Sequence, residues 1–312
     1  MRAVLKLGAL AAAASLISAG GALGQTTAPE AAKAPAAEQP NQVQAVTITA
    51  QRMEAINTFV AQTSRPNRFQ RQIARWDRNI CSTVLGLPEK HAQYMNDRLA
   101  VNAINVGLTP GQPGCYSNIL IMVAPDADNF VAEVVKKHGS AFGKYFDVGG
   151  VTTNGRKALK AWVETPMPVR WWHISETAST DGIGTTSGGN FAVHRASRIR
   201  PDTRQVFARV IIIVDAERAK GVSYQALCDY ISMVALAQIA PTEGPKAVPS
   251  ILNLWVDRDA GKPLPTGMTQ WDQDYLHALY NSAPDARDAK HQREEMIQDM
   301  KKAAAKEPKA PK

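Results

Sequence analysis

Metal binding and proton transfer most often begin with histidine, and the six histidines of this 312-residue chain are poorly spaced for either task. His91, His138, His173, His194, His277 and His291 include no pair four residues apart, the spacing that sets two imidazoles on one helical face around a metal ion. His173 and His194 can meet across neighbouring strands, but two imidazoles without a third ligand make a poor zinc site. No metal and no cofactor is expected. No G-x-S-x-G, Walker loop or G-x-G-x-x-G follows a predicted strand, so the usual marks of serine hydrolases and nucleotide enzymes are missing. The loop Asp181 to Asn190 holds Gly182, Gly184, Gly188 and Gly189. No helix starts directly after it, so it reads as a hairpin tip rather than an anion cradle. Arg195, Arg198 and Arg200 beside His194 form a basic patch that suits phosphate or an acidic partner, and equally a solvated strand edge.

Three cysteines exclude a disulfide-dense scaffold and a multi-cysteine zinc module. Cys81 and Cys115 flank the first long predicted helix, and an oxidising compartment would join them into a staple. Closing a loop of that length stabilises by about 3 to 4 kcal/mol on the chain-entropy argument. Cys228 lies inside an apolar helix with no sequence neighbour to make it a thiolate, so it reads as a buried free thiol.

The elements that would position these groups follow from periodicity and caps. Val46 to Thr49 reads as a short strand, Met53 to Gln62 as a helix, and Ile73 to Leu85 as extended chain around Trp76. Pro88 opens a helix to about Val106, with Met95, Leu99, Ala103 and Val106 at helical spacing. Asn118 to Ala124 is a buried strand, after which Asp126 caps a helix through Val131, Val134 and Val135. Val169 to Ser175 and Gln205 to Val214 are strands, the second with five consecutive β-branched residues from Val210 to Val214. Ser223 caps a helix to about Ile239, and Thr269 caps another through Trp271, Tyr275, Leu279 and Tyr280. Trp171 and Trp172 point to opposite faces of one strand, so one is expected in the core and the other at the surface or an interface. Interspersed strands and helices predict an α+β (or α/β) layered fold: a single sheet-and-helix domain with a disordered N-terminal tether and a charged C-terminal helix.

The ends are distinctive. Arg2 and Lys6 precede an apolar run from Leu7 to Leu23, and Ala22 and Gly24 suit a cleavage site before Gln25, so residues 1–24 read as a signal peptide and the location as periplasmic. Residues 25–45 are an Ala- and Pro-rich linker, 46–67 a strand and helix, 68–283 the globular domain, and 284–312 a charged helix with a basic tail. Met296, Ile297 and Met300 give that helix a thin apolar stripe, read as lying on the domain. With 45% hydrophobic and 21% charged residues the chain can bury a sizeable core. A net charge of +8 does not by itself indicate nucleic acid, and none is expected as a partner. After the N-terminal run no apolar stretch is long enough to cross a bilayer, so no integral membrane span is expected in the mature chain.

Three resemblances add to this reading. A buried strand VIIIVDA, the helix YQALCDYISMVALAQI and a later PSILNLW resemble a metzincin zinc protease, whose helix carries H-E-x-x-H-x-x-G and whose later turn holds a Met beneath the metal. On that pattern Asp229 and Met233 stand at the two His positions, Tyr230 at the Glu, Leu236 at the Gly, Ile239 at the third His and Leu252 at the turn Met. The resemblance implies a zincin-like fold stripped of its metal site. Secondly, Val46, Thr47, Ile48, Thr49, Ala50, Gln51 and Arg52 spell VTITAQR. They look like the TonB box of outer-membrane receptors, which adds a strand to the energy-transducing protein TonB. No plug or array of barrel strands follows, so the chain is not a receptor, and TonB or another envelope protein is the implied partner. Thirdly, WDRNIC, GLP, GCYSNILIMV, VIIIVDAER and CDYISMVALAQ look like an uncharacterised family of secreted Gram-negative bacterial proteins, which implies no activity. Together these favour a non-catalytic periplasmic or envelope interaction protein. The alternative is a secreted hydrolase with an unrecognised site among Asp229, Tyr230, His173 and His194.

Overall fold

A computed structural model describes residues 40–66, 70–143, 151–180, 201–239, 244, 245 and 247–306, with the side chains of the first helix described from residue 50. The expected signal peptide, most of the linker, the glycine loop 181–190, His194, Arg195, Arg198, Arg200 and the last six residues lie outside this set. The chain divides into two units. Met1–Gln44 is described only from Pro40, as helix, and Ala45–Lys312 is the packed unit.

Five strands form one mixed sheet: β1 (Ser82–Leu85), β2 (Ile119–Ala124), β3 (Val151–Thr152), β4 (Val169–Ser179) and β5 (Thr203–Asp215). Their order is β1-β2-β5-β4-β3, with β1, β2 and β5 mutually parallel and β4 and β3 joining antiparallel. The central position of β5 explains its uninterrupted run from Val210 to Val214, because a strand covered on both faces needs apolar residues at every position. Ile212 stands between Ile121 of β2 and Trp171 of β4 on one face, and Ile211 stands beside Trp172 on the other.

The first face is covered by the later turns of α1 (Pro40–Thr63), through Ile56, Phe59 and Val60, and by α2 (Glu89–Asn105), α5 (Tyr224–Leu236), α6 (Leu254–Asp259), α7 (Gln270–Asn281) and α8 (Ala289–Lys306). The second carries α3 (Ala127–Lys137) and α4 (Gly155–Glu164) around a smaller core with Trp162 and Trp172. The architecture is α+β, a mixed sheet between helical layers. Local chemistry sets the helix starts. The Asp126 carboxylate accepts from Asn129 N and the Ser223 hydroxyl from Ala226 N, while Thr269 and Asp272 form a reciprocal capping box on α7. Among the described residues no helix is long and apolar enough to cross a membrane.

Several expectations need correction. Val46–Thr49 is helical, not a strand, and so is the end of the expected linker from Pro40: both belong to α1. The β-branched alternation there favours a strand locally, but Ile56, Phe59, Val60 and Thr63 are buried at helical spacing, and a helix nucleated by that packing extends backwards cooperatively. Trp171 and Trp172 are both buried, because the sheet is covered on both faces. The core also reaches beyond residues 68–283, taking Ile56, Phe59 and Val60 from α1 and Ala289, Met296 and Met300 from α8. The helix after Ser223 stops at Leu236, and α4 and α6 are additions that the sequence reading did not contain.

Candidate functional site

Asp229, Tyr230 and Met233 lie on α5, the helix that follows β5. Every side chain of α5 from Ala226 to Leu236 is buried, so this helix presents no face to solvent beyond its first turn. Asp229 is completely buried and both its oxygens are occupied. Oδ1 accepts from Arg98 Nε at 2.6 Å and Asn102 Nδ2 at 2.9 Å, and Oδ2 accepts from Arg98 Nη2 at 2.7 Å and Met268 N at 2.9 Å. A Cβ on Gly267 would stand 2.5 Å from Oδ2, so that backbone closes over the carboxylate. The bond to Asp229 raises the Arg98 guanidinium further above its ordinary value.

Tyr230 packs edge-on to Trp171 and Trp255 at ring separations of 6.0 and 5.5 Å, and burial pushes its phenol well above the usual range. Met233 is fully buried, and Leu252 is buried in a 3-10 turn (Ile251–Asn253) that packs against α5. Leu236 and Ile239 are core residues too. His173 on β4 donates from Nε2 to the carbonyl oxygen of Val234 at 2.7 Å and lies 5.0 Å from the Phe207 ring. Burial lowers its pKa to about 4, so the ring is neutral at physiological pH. Tyr230, Ile239 and Leu252 line a small cavity of about 10 Å³ beside Trp171, and Asp229, His173 and Met233 are not part of its lining. Among the described residues no group of three or more His, Cys, Asp or Glu is placed to hold a metal ion.

Cys81 and Cys115 form a disulfide with Cα atoms 6.0 Å apart. Its surroundings are fitted to it. Asn118 accepts from Cys81 N and donates to Asn79 O, and a Cβ on Gly111 would stand 2.7 Å from Cys115 Sγ. Cys228 is a buried free thiol whose pKa burial raises to about 12. In the TonB-box-like segment, Ala50 and Gln51 are exposed. Arg52 lines a groove of about 150 Å³ with Trp271 of α7 and Met300 of α8.

Two arrangements have no motif that announces them. At the carboxyl ends of β2 and β5, where open α/β sheets often bind ligands, the fully buried Arg170 pairs with Asp128. Asp128 in turn meets Arg218 Nη2 at 2.7 Å, and Arg218 Nη1 reaches Asp215 at 2.6 Å. The carboxylates there are taken up by arginines, so this is an internal clasp between α3, β4 and the end of β5. On the far side of the sheet, the strap Arg75–Asp77, the start of β5 and the chain just past α2 and α7 enclose a cleft of about 270 Å³. Arg75 and Arg204 both line it, and Arg204 Nη2 donates to Asp77 at 3.0 Å. Neither arrangement could be found by spacing, since Arg75 and Arg204, like Asp128 and Arg218, are far apart in the chain. Comparison with family models, with curated proteins and with solved structures finds no match.

Proposed function

We propose that the chain is an exported, non-catalytic interaction protein of the bacterial envelope, with a zincin-like layout that has no metal chemistry. The observation that carries this reading is the state of Asp229. At the position where a metzincin would present a zinc-binding imidazole, this carboxylate holds α2, α5 and the backbone at Met268 together. Tyr230, Met233, Leu236, Ile239 and Leu252, the other positions of that comparison, contribute bulk to the core. Export to the periplasm is supported by the Arg2, Lys6 and Leu7–Leu23 pattern and by a disulfide that would not persist in a reducing cytosol.

Recruitment through Val46–Arg52 to TonB, or to another envelope protein with an open sheet edge, is the partner side of this proposal. Strand addition requires the first turns of α1 to unwind. Val46, Thr47, Ile48 and Thr49 are weak helix formers, and full burial along the described part of α1 begins only at Ile56. The test is titration of the mature protein with the periplasmic domain of TonB, alongside elemental analysis. Binding is expected for the wild type and for Ile48→Val and is lost in Ile48→Pro, with the melting temperature changed little. The purified protein should contain no stoichiometric zinc. Absence of wild-type binding removes the recruiting role, and one zinc per chain removes the non-catalytic reading.

A further inference from the structure

We propose that the cleft between the Arg75–Asp77 strap, the start of β5 and the end of α7 binds a small organic carboxylate with an apolar body. The charge of the lining is the first argument. The lining holds two cations, Arg75 and Arg204, against one carboxylate, Asp77, while Glu295 acts on Arg75 from beyond the lining. Donor supply is the second. Arg75 directs Nη1 to the carbonyl oxygens of Leu279, Tyr280 and Ser282, where a cation meets the negative end of α7, and among the described residues no hydrogen bond engages its Nε or Nη2. Arg204 gives Nη2 to Asp77, while its buried Nε has no hydrogen-bond partner among the described residues. A buried unsatisfied donor is a standing cost, and a carboxylate matches the planar fork of a guanidinium.

The walls supply the third argument. Val106 and Leu108 beyond α2, Val206 on β5 and Pro284 beyond α7 face the same space, so a ligand that is only an anion would leave apolar surface uncovered. The neighbouring polar groups are already engaged. Gln292 exchanges hydrogen bonds with the backbone of Ile73, and the Tyr280 hydroxyl donates to Leu236 O while accepting from Trp76 N. The cleft is thus held from both sides, with its arginines as the available donors.

The experiment is calorimetric titration of the full mature chain with benzoate, with benzyl alcohol and inorganic phosphate as comparison probes. Benzoate is expected to bind at one site per chain, benzyl alcohol and phosphate at least tenfold more weakly. Arg204→Lys keeps the charge but removes Nε, and it should weaken benzoate at least tenfold with the circular dichroism spectrum unchanged. Arg209→Lys, on the same strand, should leave binding as in the wild type. No benzoate binding, equal binding of phosphate, or binding indifferent to Arg204→Lys in a folded variant would each overturn the assignment.

Discussion

The Arg98 guanidinium grips the Asp229 carboxylate with two parallel hydrogen bonds, Nε to Oδ1 and Nη2 to Oδ2, at 2.6 and 2.7 Å. One partner is wholly buried and the other about a third exposed. The pair joins α2 to α5, and two further donors complete the carboxylate. Removing one partner is worse than removing both, since it strands a charge in the core. Arg98→Met is therefore expected to cost about 3 kcal/mol, at the low end for a buried pair because Arg98 keeps some contact with water. The double variant Arg98→Met, Asp229→Leu should recover part of that loss in urea denaturation. A double variant less stable than Arg98→Met alone would show that Asp229 matters through Asn102 and Met268 instead.

The disulfide gives a count as well as an energy. Denatured, unreduced mature protein should titrate one thiol per chain, Cys228, and peptide mapping should recover Cys81 linked to Cys115. Replacing both bridged cysteines by serine should lower stability by about 3 to 4 kcal/mol. A count of three free thiols contradicts the staple.

His173 makes stability depend on pH in a stated direction. Burial depresses its pKa in the folded protein to about 4, against 6.5 when unfolded. The unfolded chain therefore binds the extra proton first, and stability present above pH 6.5 is lost as pH falls towards 4. The loss from this one group amounts to at most about 3 kcal/mol over that window. His173→Gln keeps a donor for Val234 O and cannot titrate. Denaturant midpoints from pH 7 to 4.5 should fall more steeply for the wild type than for the variant, and parallel curves would exclude the effect.

Phe59 is where α1 is held. Its ring meets Trp271 and Tyr275 of α7 edge-on at 5.7 and 5.6 Å, and it is 1% exposed. Phe59→Ala should cost about 3 to 5 kcal/mol in chemical unfolding, whereas Gln51→Ala, at an exposed position, should change stability by less than about 0.5 kcal/mol. Equal small effects would mean that α1 is not part of the folded core.

Where an element carries its own punctuation, the fold was legible. Asp126, Ser223 and Thr269 cap the helices expected of them, and the run Val210–Val214 marks the central strand. α1 was legible only in part, because VTIT satisfies the strand pattern locally and only the distant α7 decides for helix. α4 starts at Gly155 after Asn154, whose side chain makes no cap; Thr153 Oγ1 accepts from Gly155 N instead, and a glycine in the first turn weakens the helical pattern. Both tryptophans of β4 alternate as expected, but a period of two does not say how many layers cover a sheet. The candidate sites divide in the same way. The disulfide was readable because a helix separates its cysteines, whereas Arg75, Asp77 and Arg204 meet only through tertiary folding.

The loop closed by Cys81 and Cys115 contains all of β1 and α2, and α2 carries Arg98 and Asn102 to their meeting with Asp229. An outermost strand is ordinarily the first part of a sheet to fray, and α2 lies directly over this one. Bound covalently at its base and electrostatically along its length, this lobe cannot be shed piecemeal. In hydrogen exchange its amides would open together, as one foldon, and the edge of the sheet would be as slow to exchange as the helix that guards it.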